Sequence, residues 1–238
     1  MVLPTYNEID NVEKMLRTLR ETVPAASILV VDDGSPDGTG DAAEKLSEEL
    51  GQVSVLHRSG KQGLGTAYRQ GFRWGLDRDF DRLVEIDCDF SHDPAVLPSM
   101  LALSEHFEVV IGSRYVPGGT TPAWPKTRLW LSRGGNRYAS VMLGLGVVDS
   151  TAGYRVYTDT ALRKIHFEDV RSDGYGFQVE MTYRARCGGA SIVETPISFT
   201  DRTRGTSKMS SAIVFEALGM VTAWGVARLV GRRPVSRS

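Results

Sequence analysis

Ser27-Ile28-Leu29-Val30-Val31 is a short, unbroken apolar run that stops at two aspartates, Asp32 and Asp33. A strand apolar at every position has no face to offer water, so it belongs inside a sheet covered on both sides. Helices that cross between parallel strands supply such cover. The neighbouring sequence contains them. Val12, Met15, Leu16 and Leu19 recur at helical spacing within residues 8–22. Ala42, Ala43, Leu46 and Leu50 form the inner face of a helix over 41–50, and a third helix is expected over 66–76. Strands over 53–56, 83–86 and 109–112, with a helix over 94–103, extend the alternation into a mainly parallel α/β sheet. In such sheets ligands bind beyond the carboxyl ends of the strands. Asp32-Asp33 and Asp87/Asp89 both follow strand ends, so one crevice can collect them.

The second half is less regular. A turn-rich stretch over 117–125 leads into a helix reaching about Leu145. A strand over 153–157, a helix over 175–186 and a strand over 191–199 follow; a polar loop over 200–208 then precedes an apolar helix over 210–230. No linker separates the halves, which predicts one domain over 1–208 with a C-terminal helix and tail over 209–238. The length of 238 residues suffices for a large core. A formal net charge of −1 gives no whole-chain argument for nucleic acid. Cys88 and Cys187 have neither zinc spacing nor the density of a disulfide scaffold, which points to a reduced, cytosolic setting. Met1-Val2-Leu3-Pro4 lacks the basic and apolar regions of a signal peptide, and the first strand is expected to be short.

The strongest chemical signal is Asp87-Cys88-Asp89 at the end of the 83–86 strand. Two carboxylates one residue apart at a strand end can share one hard divalent cation. Mg²⁺ is commonly held by one or two carboxylates together with substrate phosphates. Pro4-Thr5-Tyr6-Asn7-Glu8 joins a strand to a helix. Its amides and the Tyr6 ring either support a nucleoside or, with Asn7 as N-cap, only begin the helix. A carboxylate at Asp33 can accept from the ring N–H and the amine of guanine, whereas Asp37-Gly38 reads as turn chemistry. Lys61-Gln62-Gly63-Leu64-Gly65-Thr66-Ala67 lacks the spacing of a phosphate-binding loop and reads as a glycine turn that lets a helix start pack closely. The four histidines have no metal-ligand spacing, and His92 is expected to shape the turn before Pro94.

In order, Leu3-Pro4-Thr5-Tyr6-Asn7-Glu8, Val31-Asp32-Asp33-Gly34-Ser35-Pro36-Asp37-Gly38-Thr39, Gly63-Leu64-Gly65-Thr66-Ala67-Tyr68 and Asp87-Cys88-Asp89-Phe90-Ser91-His92-Asp93-Pro94 resemble family 2 glycosyltransferases of the GT-A type. The likeness narrows to the polyprenyl-phosphate mannose synthases. It continues through Gly112-Ser113-Arg114-Tyr115, Ser132-Arg133-Gly134, Gly174-Tyr175-Gly176-Phe177-Gln178-Val179-Glu180, Pro196-Ile197-Ser198-Phe199 and Asp201-Arg202-Thr203-Arg204-Gly205-Thr206-Ser207-Lys208. The resemblance implies a GT-A (Rossmann-like) sheet flanked by helices, and inverting transfer of mannose from GDP-mannose to a polyprenyl (dolichyl-type) phosphate. It places Pro4, Tyr6, Glu8, Val31 and Asp33 on the guanosine, with Asp87, Asp89 and Ser91 on Mg²⁺ or Mn²⁺. Cys88 takes the small middle position of the metal motif. Arg114, Arg202 and Lys208 fall on the diphosphate and sugar, and Arg133 on the acceptor phosphate. With Asp89, the three basic residues carry the catalytic assignment. This agrees with the physics, since a departing diphosphate gains negative charge that a cation and Arg/Lys groups stabilise. Glu180 either orients substrate or neighbouring groups, without removing a proton, or is an exposed helix carboxylate. The alternatives are a transferase using UDP-glucose or another sugar nucleotide, and a nucleotide-sugar-binding regulatory subunit without catalysis.

No stretch reaches the roughly 20 uninterrupted apolar residues of a spanning helix. Residues 212–230 come nearest, interrupted by Glu216 and Arg228. Arg228, Arg232, Arg233 and Arg237 follow without an acid, which suits anionic headgroups. The expectation is an amphipathic C-terminal helix, peripheral attachment at the cytoplasmic face of a membrane, and room for a membrane-anchoring protein partner.

Overall fold

The computed structural model describes residues 1–201 and 211–230, with side chains in the last stretch from residue 217 onward. Its strands are β1 (Val2–Thr5), β2 (Ile28–Asp32), β3 (Val53–His57), β4 (Arg82–Glu85), β5 (Val109–Ser113), β6 (Arg155–Thr158) and β7 (Ile192–Pro196). Its helices are α1 (Ile9–Thr22), α2 (Thr39–Leu50), α3 (Leu64–Leu76), α4 (Leu97–Leu103), α5 (Lys126–Leu143), α6 (Asp159–Ile165), α7 (Gly174–Cys187) and α8 (Ser211–Leu229). The strands form one sheet in the order β3-β2-β1-β4-β6-β5-β7. All neighbours are parallel except β6, which runs against both β4 and β5. The expected strand over 153–157 is therefore present, displaced by a residue or two, but reversed. The short helix α6 was not anticipated. It begins at once after β6, with Thr158 capping it by accepting from the Ala161 amide at 3.0 Å.

Alternation of side chains splits each strand between two cores. Leu29 and Val31 of β2 join Val2 and Leu83 under α3, α5, α6, α7 and α8. Ile28 and Val30 join Leu3, Val84, Ile86 and Cys88 under α1, α2 and α4. The result is a three-layered sandwich with fully buried central strands. Close approach of α3 to the sheet depends on small residues. A Cβ on Gly71 would overlap the Val2 side chain, and one on Gly75 would overlap Leu83.

The reversed strand is wired by a cation. Arg155 is completely buried; its Nε donates to Ala152 O (2.7 Å), Nη2 to Ser150 O (2.7 Å), and Nη1 to Gln178 O (3.1 Å) and Thr182 Oγ1 (2.9 Å). These bonds join β6 to α7 and to the 150–152 turn. No helix among the described residues is long and apolar enough to cross a membrane.

Gly71→Ala should lower unfolding stability by about 1–3 kcal/mol through overpacking, despite alanine's better helix propensity. In urea titrations, Val2→Ala combined with Gly71→Ala should recover part of that loss, because it removes the overlapping methyl groups.

Candidate active site

Strand order fixes where the polar residues meet. β1 has β2 on one side and β4 on the other, so the chain leaves β1 in one direction and returns to its opposite flank. Such a reversal opens a crevice at the carboxyl edge. Pro4 to Glu8 lie at the end of β1, Asp32-Asp33 at the end of β2, and Asp87 to Ser91 beyond β4. The residues expected to share one crevice thus sit on three adjacent strand ends.

At the β2 end the two aspartates divide their work. Asp32 is buried and accepts from Thr5 Oγ1 (3.0 Å), the Ser35 amide (2.9 Å) and Ser35 Oγ (2.5 Å), so it builds the turn. Asp33 instead pairs with the buried Arg58. Burial raises the Asp33 pKa, and the charge of Arg58 opposes that rise. Arg58 also donates to Thr66 Oγ1 (2.5 Å) and Gln62 Oε1 (3.2 Å), which ties Asp33 to the start of α3. Val31 is buried in β2 and reaches the edge only through its backbone.

The first helix is not capped by Asn7. Its N-cap is Glu8, without a side-chain cap, and Asn7 has a left-handed φ of 57°. The amides of Asn7, Glu8 and Ile9 donate to Ser35 Oγ (3.0 Å), Thr39 Oγ1 (2.9 Å) and Asp37 Oδ2 (3.2 Å). These bonds tie the end of β1 to the turn that follows β2. The Tyr6 ring carries Lys61 Nζ at 5.2 Å from its centroid. The 61–67 segment is a packing turn, as expected: a Cβ on Gly65 would come within 2.9 Å of Phe177, and the Gly65 amide donates to Asp173 at 2.7 Å.

Beyond β4, Asp87 keeps about a third of its side chain exposed, at 32%. Its oxygens lie 3.4 Å from the Tyr68 hydroxyl and 3.7 Å from His92 Nε2. Asp89 is buried and accepts from the Ser91 amide at 3.0 Å. That turn needs Phe90 at a left-handed φ of 58°. Cys88 points into the α1/α4 core, and burial pushes its thiol pKa well up, so it contributes fit. Ser91 is buried, and its carbonyl accepts from the Thr200 amide at 3.3 Å. Among the described residues no group of three or more His, Cys, Asp and Glu side chains could hold a metal. Hard carboxylate oxygens, one side chain buried and one partly open, suit a Mg²⁺ or Mn²⁺ ion shared with phosphate oxygens.

Sequence reasoning missed what surrounds this pair. His92 is buried, not a mere turn former: its ring lies 5.1 Å from Tyr154 and 5.3 Å from Phe199, and burial lowers its pKa to about 4. Below it, burial raises Glu85 to about 8, and Gln178 Nε2 donates to that carboxyl at 2.8 Å. Both side chains belong to the wall under the carboxylates. Their partners lie far away in sequence, so no local pattern could reveal them.

Arg114 follows β5 and is 5% exposed. Its Nε and Nη2 donate to the two oxygens of Asp149 (2.8 and 2.6 Å), and Nη2 also to Thr151 Oγ1 (2.7 Å). The rings of Tyr115, Trp124 and Phe199 surround the guanidinium at 5.1 to 5.6 Å. In this arrangement Arg114 braces the 149–151 turn through Nε and Nη2. Arg133 is exposed on α5 and lies 5.4 Å above the Tyr115 ring, whose hydroxyl donates to Ser132 Oγ at 2.6 Å. Asp201 accepts from Trp124 Nε1 (3.0 Å) and Arg128 Nη1 (2.9 Å). Arg202 and Lys208 lie outside the described residues.

Glu180 is no exposed helix carboxylate; it orients neighbouring groups. It is buried, pairs with Arg184 Nε at 2.8 Å, and accepts from Ser172 N (3.1 Å) and Ser172 Oγ (2.6 Å). It clamps the 171–172 segment to α7 and has no exposed face for substrate.

Asp149→Ala would leave Arg114 buried without its counter-charge. Removing one partner of a buried pair costs about 3–5 kcal/mol. Urea denaturation should show that loss, whereas Asp201→Ala at the exposed Arg128 pair should cost less than about 1 kcal/mol.

Comparison with known proteins agrees with the geometry. The family model described as "Glycosyl transferase family 2" matches residues 1–166. An undecaprenyl-phosphate mannosyltransferase of Micrococcus luteus is 51% identical over 226 residues, spanning 95% of this chain and 93% of that protein. A polyprenol monophosphomannose synthase of Mycolicibacterium smegmatis is 47% identical over 228 residues, spanning 95% and 86%. Among solved structures, a mannosyltransferase of Pyrobaculum calidifontis in complex with GDP-Man and Mn²⁺ shares the fold, with a TM-score of 0.61 at 13% identity over 99% of this chain and 64% of that one. The parallel sheet, the carboxylates at its edge and the near-full-length relatives lead to one conclusion: the chain belongs to glycosyl transferase family 2.

Proposed function

We propose that this glycosyltransferase moves mannose from GDP-mannose to a polyprenyl phosphate, inverting the sugar C1 and releasing GDP. The observation that carries this reading is the 51% identity, across nearly the whole chain, with a protein named for mannosyl transfer to undecaprenyl phosphate. The geometry supports it. Asp33 at the β2 end and Asp87/Asp89 beyond β4 flank β1, as a bound nucleoside diphosphate requires. Asp33, with Pro4, Tyr6, Glu8 and Val31, takes the guanosine. Asp87 and Asp89, with Ser91 beside them and Cys88 packed behind, are the residues that would hold Mg²⁺ or Mn²⁺. When bound, the cation offsets charge on the leaving group. The Mn²⁺ and GDP-Man of the structural neighbour fit this assignment.

An oxygen of the acceptor phosphate attacks C1 while the bond from C1 to the β-phosphate oxygen breaks, and that bond's electrons leave with GDP. The acceptor is already an anion, so no general base is needed. Arg133 holds the acceptor phosphate. Arg114 acts chiefly by fixing the 149–151 turn, and Arg202 and Lys208 complete the diphosphate contacts. The catalytic unit spans 1–208. Residues 209–238 sit against the membrane at its cytoplasmic face, where a separate anchoring protein could bind.

Radiolabelled GDP-mannose incubated with polyprenyl phosphate and Mg²⁺ or Mn²⁺ should yield label in the lipid phase. Label transferred only from UDP-glucose would overturn the donor, and none from any sugar nucleotide would overturn catalysis. Asp89→Ala should lower turnover on the order of a thousandfold, the kinetic equivalent of several kcal/mol of lost charge stabilisation, while thermal melting stays cooperative.

A further inference from the structure

Tyr68 ends the Gly63–Tyr68 motif with a hydroxyl that packing alone does not require. Its ring is fully buried beside those of Phe72 and Phe177, with both centroids 6.0 Å away and interplanar angles of 21° and 12°. A phenylalanine would fill the same space. The O–H makes the difference, because a buried hydroxyl needs an acceptor. Here it donates to Oδ1 of Asp87, the more open carboxylate beyond β4, at 3.4 Å.

Close packing of α3 aims that hydroxyl. A Cβ on Gly71 or Gly75 would overlap Val2 of β1 or Leu83 of β4, so the helix lies tightly across these two strands. Tyr68 sits on the same buried side, about one turn nearer the helix start and hence nearer the carboxyl edge of the sheet. Gly65 lets Phe177 of α7 approach, and Phe177 is one of the rings stacked on Tyr68. Asp87 is bounded on its other oxygen too. Oδ2 lies 3.7 Å from His92 Nε2 and 3.9 Å from where a Cβ on Gly153 would stand. Asp89, by contrast, is oriented within its own turn, by the Ser91 amide at 3.0 Å.

We infer that Tyr68 is a positioning residue for the metal site: its hydroxyl sets the rotamer of Asp87, so that the carboxylate meets a divalent cation without rearranging. A carboxylate oxygen has two lone pairs, so Oδ1 can accept from Tyr68 and still face Mg²⁺ or Mn²⁺. Groups that hold a metal ligand without touching the metal typically change metal affinity by about 10–100-fold. The two carboxylates of the pair are thus fixed by different means, Asp89 by its own backbone turn and Asp87 by a side chain delivered from α3. This role rests on the reading of Asp87 and Asp89 as ligands of a divalent ion.

Titration of the full chain with Mn²⁺ in the presence of GDP, followed by the electron paramagnetic resonance of the free ion, tests this without turnover. Tyr68→Phe keeps the stacked ring, so it should melt cooperatively and bind GDP as the wild type does when no metal is present. Its Mn²⁺ dissociation constant should rise about 10–100-fold. Leu16→Ala, which opens a cavity in the opposite core, should melt earlier yet keep the wild-type Mn²⁺ affinity. In transfer assays the activity lost by Tyr68→Phe should return as Mn²⁺ is raised, because Asp87 and Asp89 are intact. Wild-type Mn²⁺ affinity in Tyr68→Phe would overturn the role. So would an equal loss in Leu16→Ala, which would trace the effect to stability. Asp87→Asn separates the two levels of the argument. Unchanged Mn²⁺ affinity in that variant overturns the ligand assignment itself, whereas a loss there with none in Tyr68→Phe overturns only the positioning by Tyr68.

Discussion

A strand covered on both faces can present charge only at its ends. Every polar feature of this molecule's crevice follows from that restriction. β1 and β2 are largely apolar within the sheet, and β4 holds Leu83 and Val84 between Arg82 and Glu85; acids follow where the strands stop, at Glu8, at Asp32-Asp33 and at Asp87/Asp89. Parallel pairing then brings those ends to one edge, since Pro4 and Thr5 register with Val31 and Asp32. Carboxylates so crowded repel one another and lose water, and the structure answers each of them. Asp32 receives hydroxyls and an amide, Asp33 receives Arg58, and Asp89 receives a backbone amide. Asp87 remains the more open member of its pair, where a cation shared with phosphate has access.

The half of the molecule beyond β4 relies on buried arginines. Arg155 is saturated mainly by carbonyls and hydroxyls, and Arg114 by a carboxylate within an aromatic enclosure. A guanidinium has five donors in a rigid plane, so one residue can fix several backbone segments at once. This explains how the turn over 149–152 is held as an ordered wall between the helices and strands of this half. Rigidity there comes from few, multiply bonded groups, and each is costly to remove.

Much of the fold could be read locally. The segments at 27–31, 53–56, 83–86 and 109–112 all became strands; burial on both faces leaves its contiguous signature in β2 and β5, while β3 lies half-buried at the sheet edge. The Asp87/Asp89 pair was visible because it combines two neighbouring residues with the end of a run. The direction of β6 was hidden, since an apolar strand reads the same in either orientation. Pairings such as Arg58 with Asp33 and Arg114 with Asp149 were equally hidden. They join residues 25 and 35 positions apart, and either member alone looks like a solvated side chain. Glu180 shows the same difficulty from the other side, because its burial depends on the 171–172 segment folding back over α7.

The reversal of β6 has a consequence for how the site can vary. Segments entering parallel strands arrive at the edge remote from the crevice, whereas the segment entering an antiparallel strand arrives at the crevice itself. Residues 144–154 therefore form a wall of the site and bring Gly153 to within a Cβ's ordinary contact distance, 3.9 Å, of Asp87. Their length is not tied to any helical crossover between β1, β2 and β4. Lengthening or shortening this stretch would reshape the side facing Asp87 while β1, β2 and β4 stay in register. The architecture separates a half held in register by the parallel strands from one that a single loop can reshape.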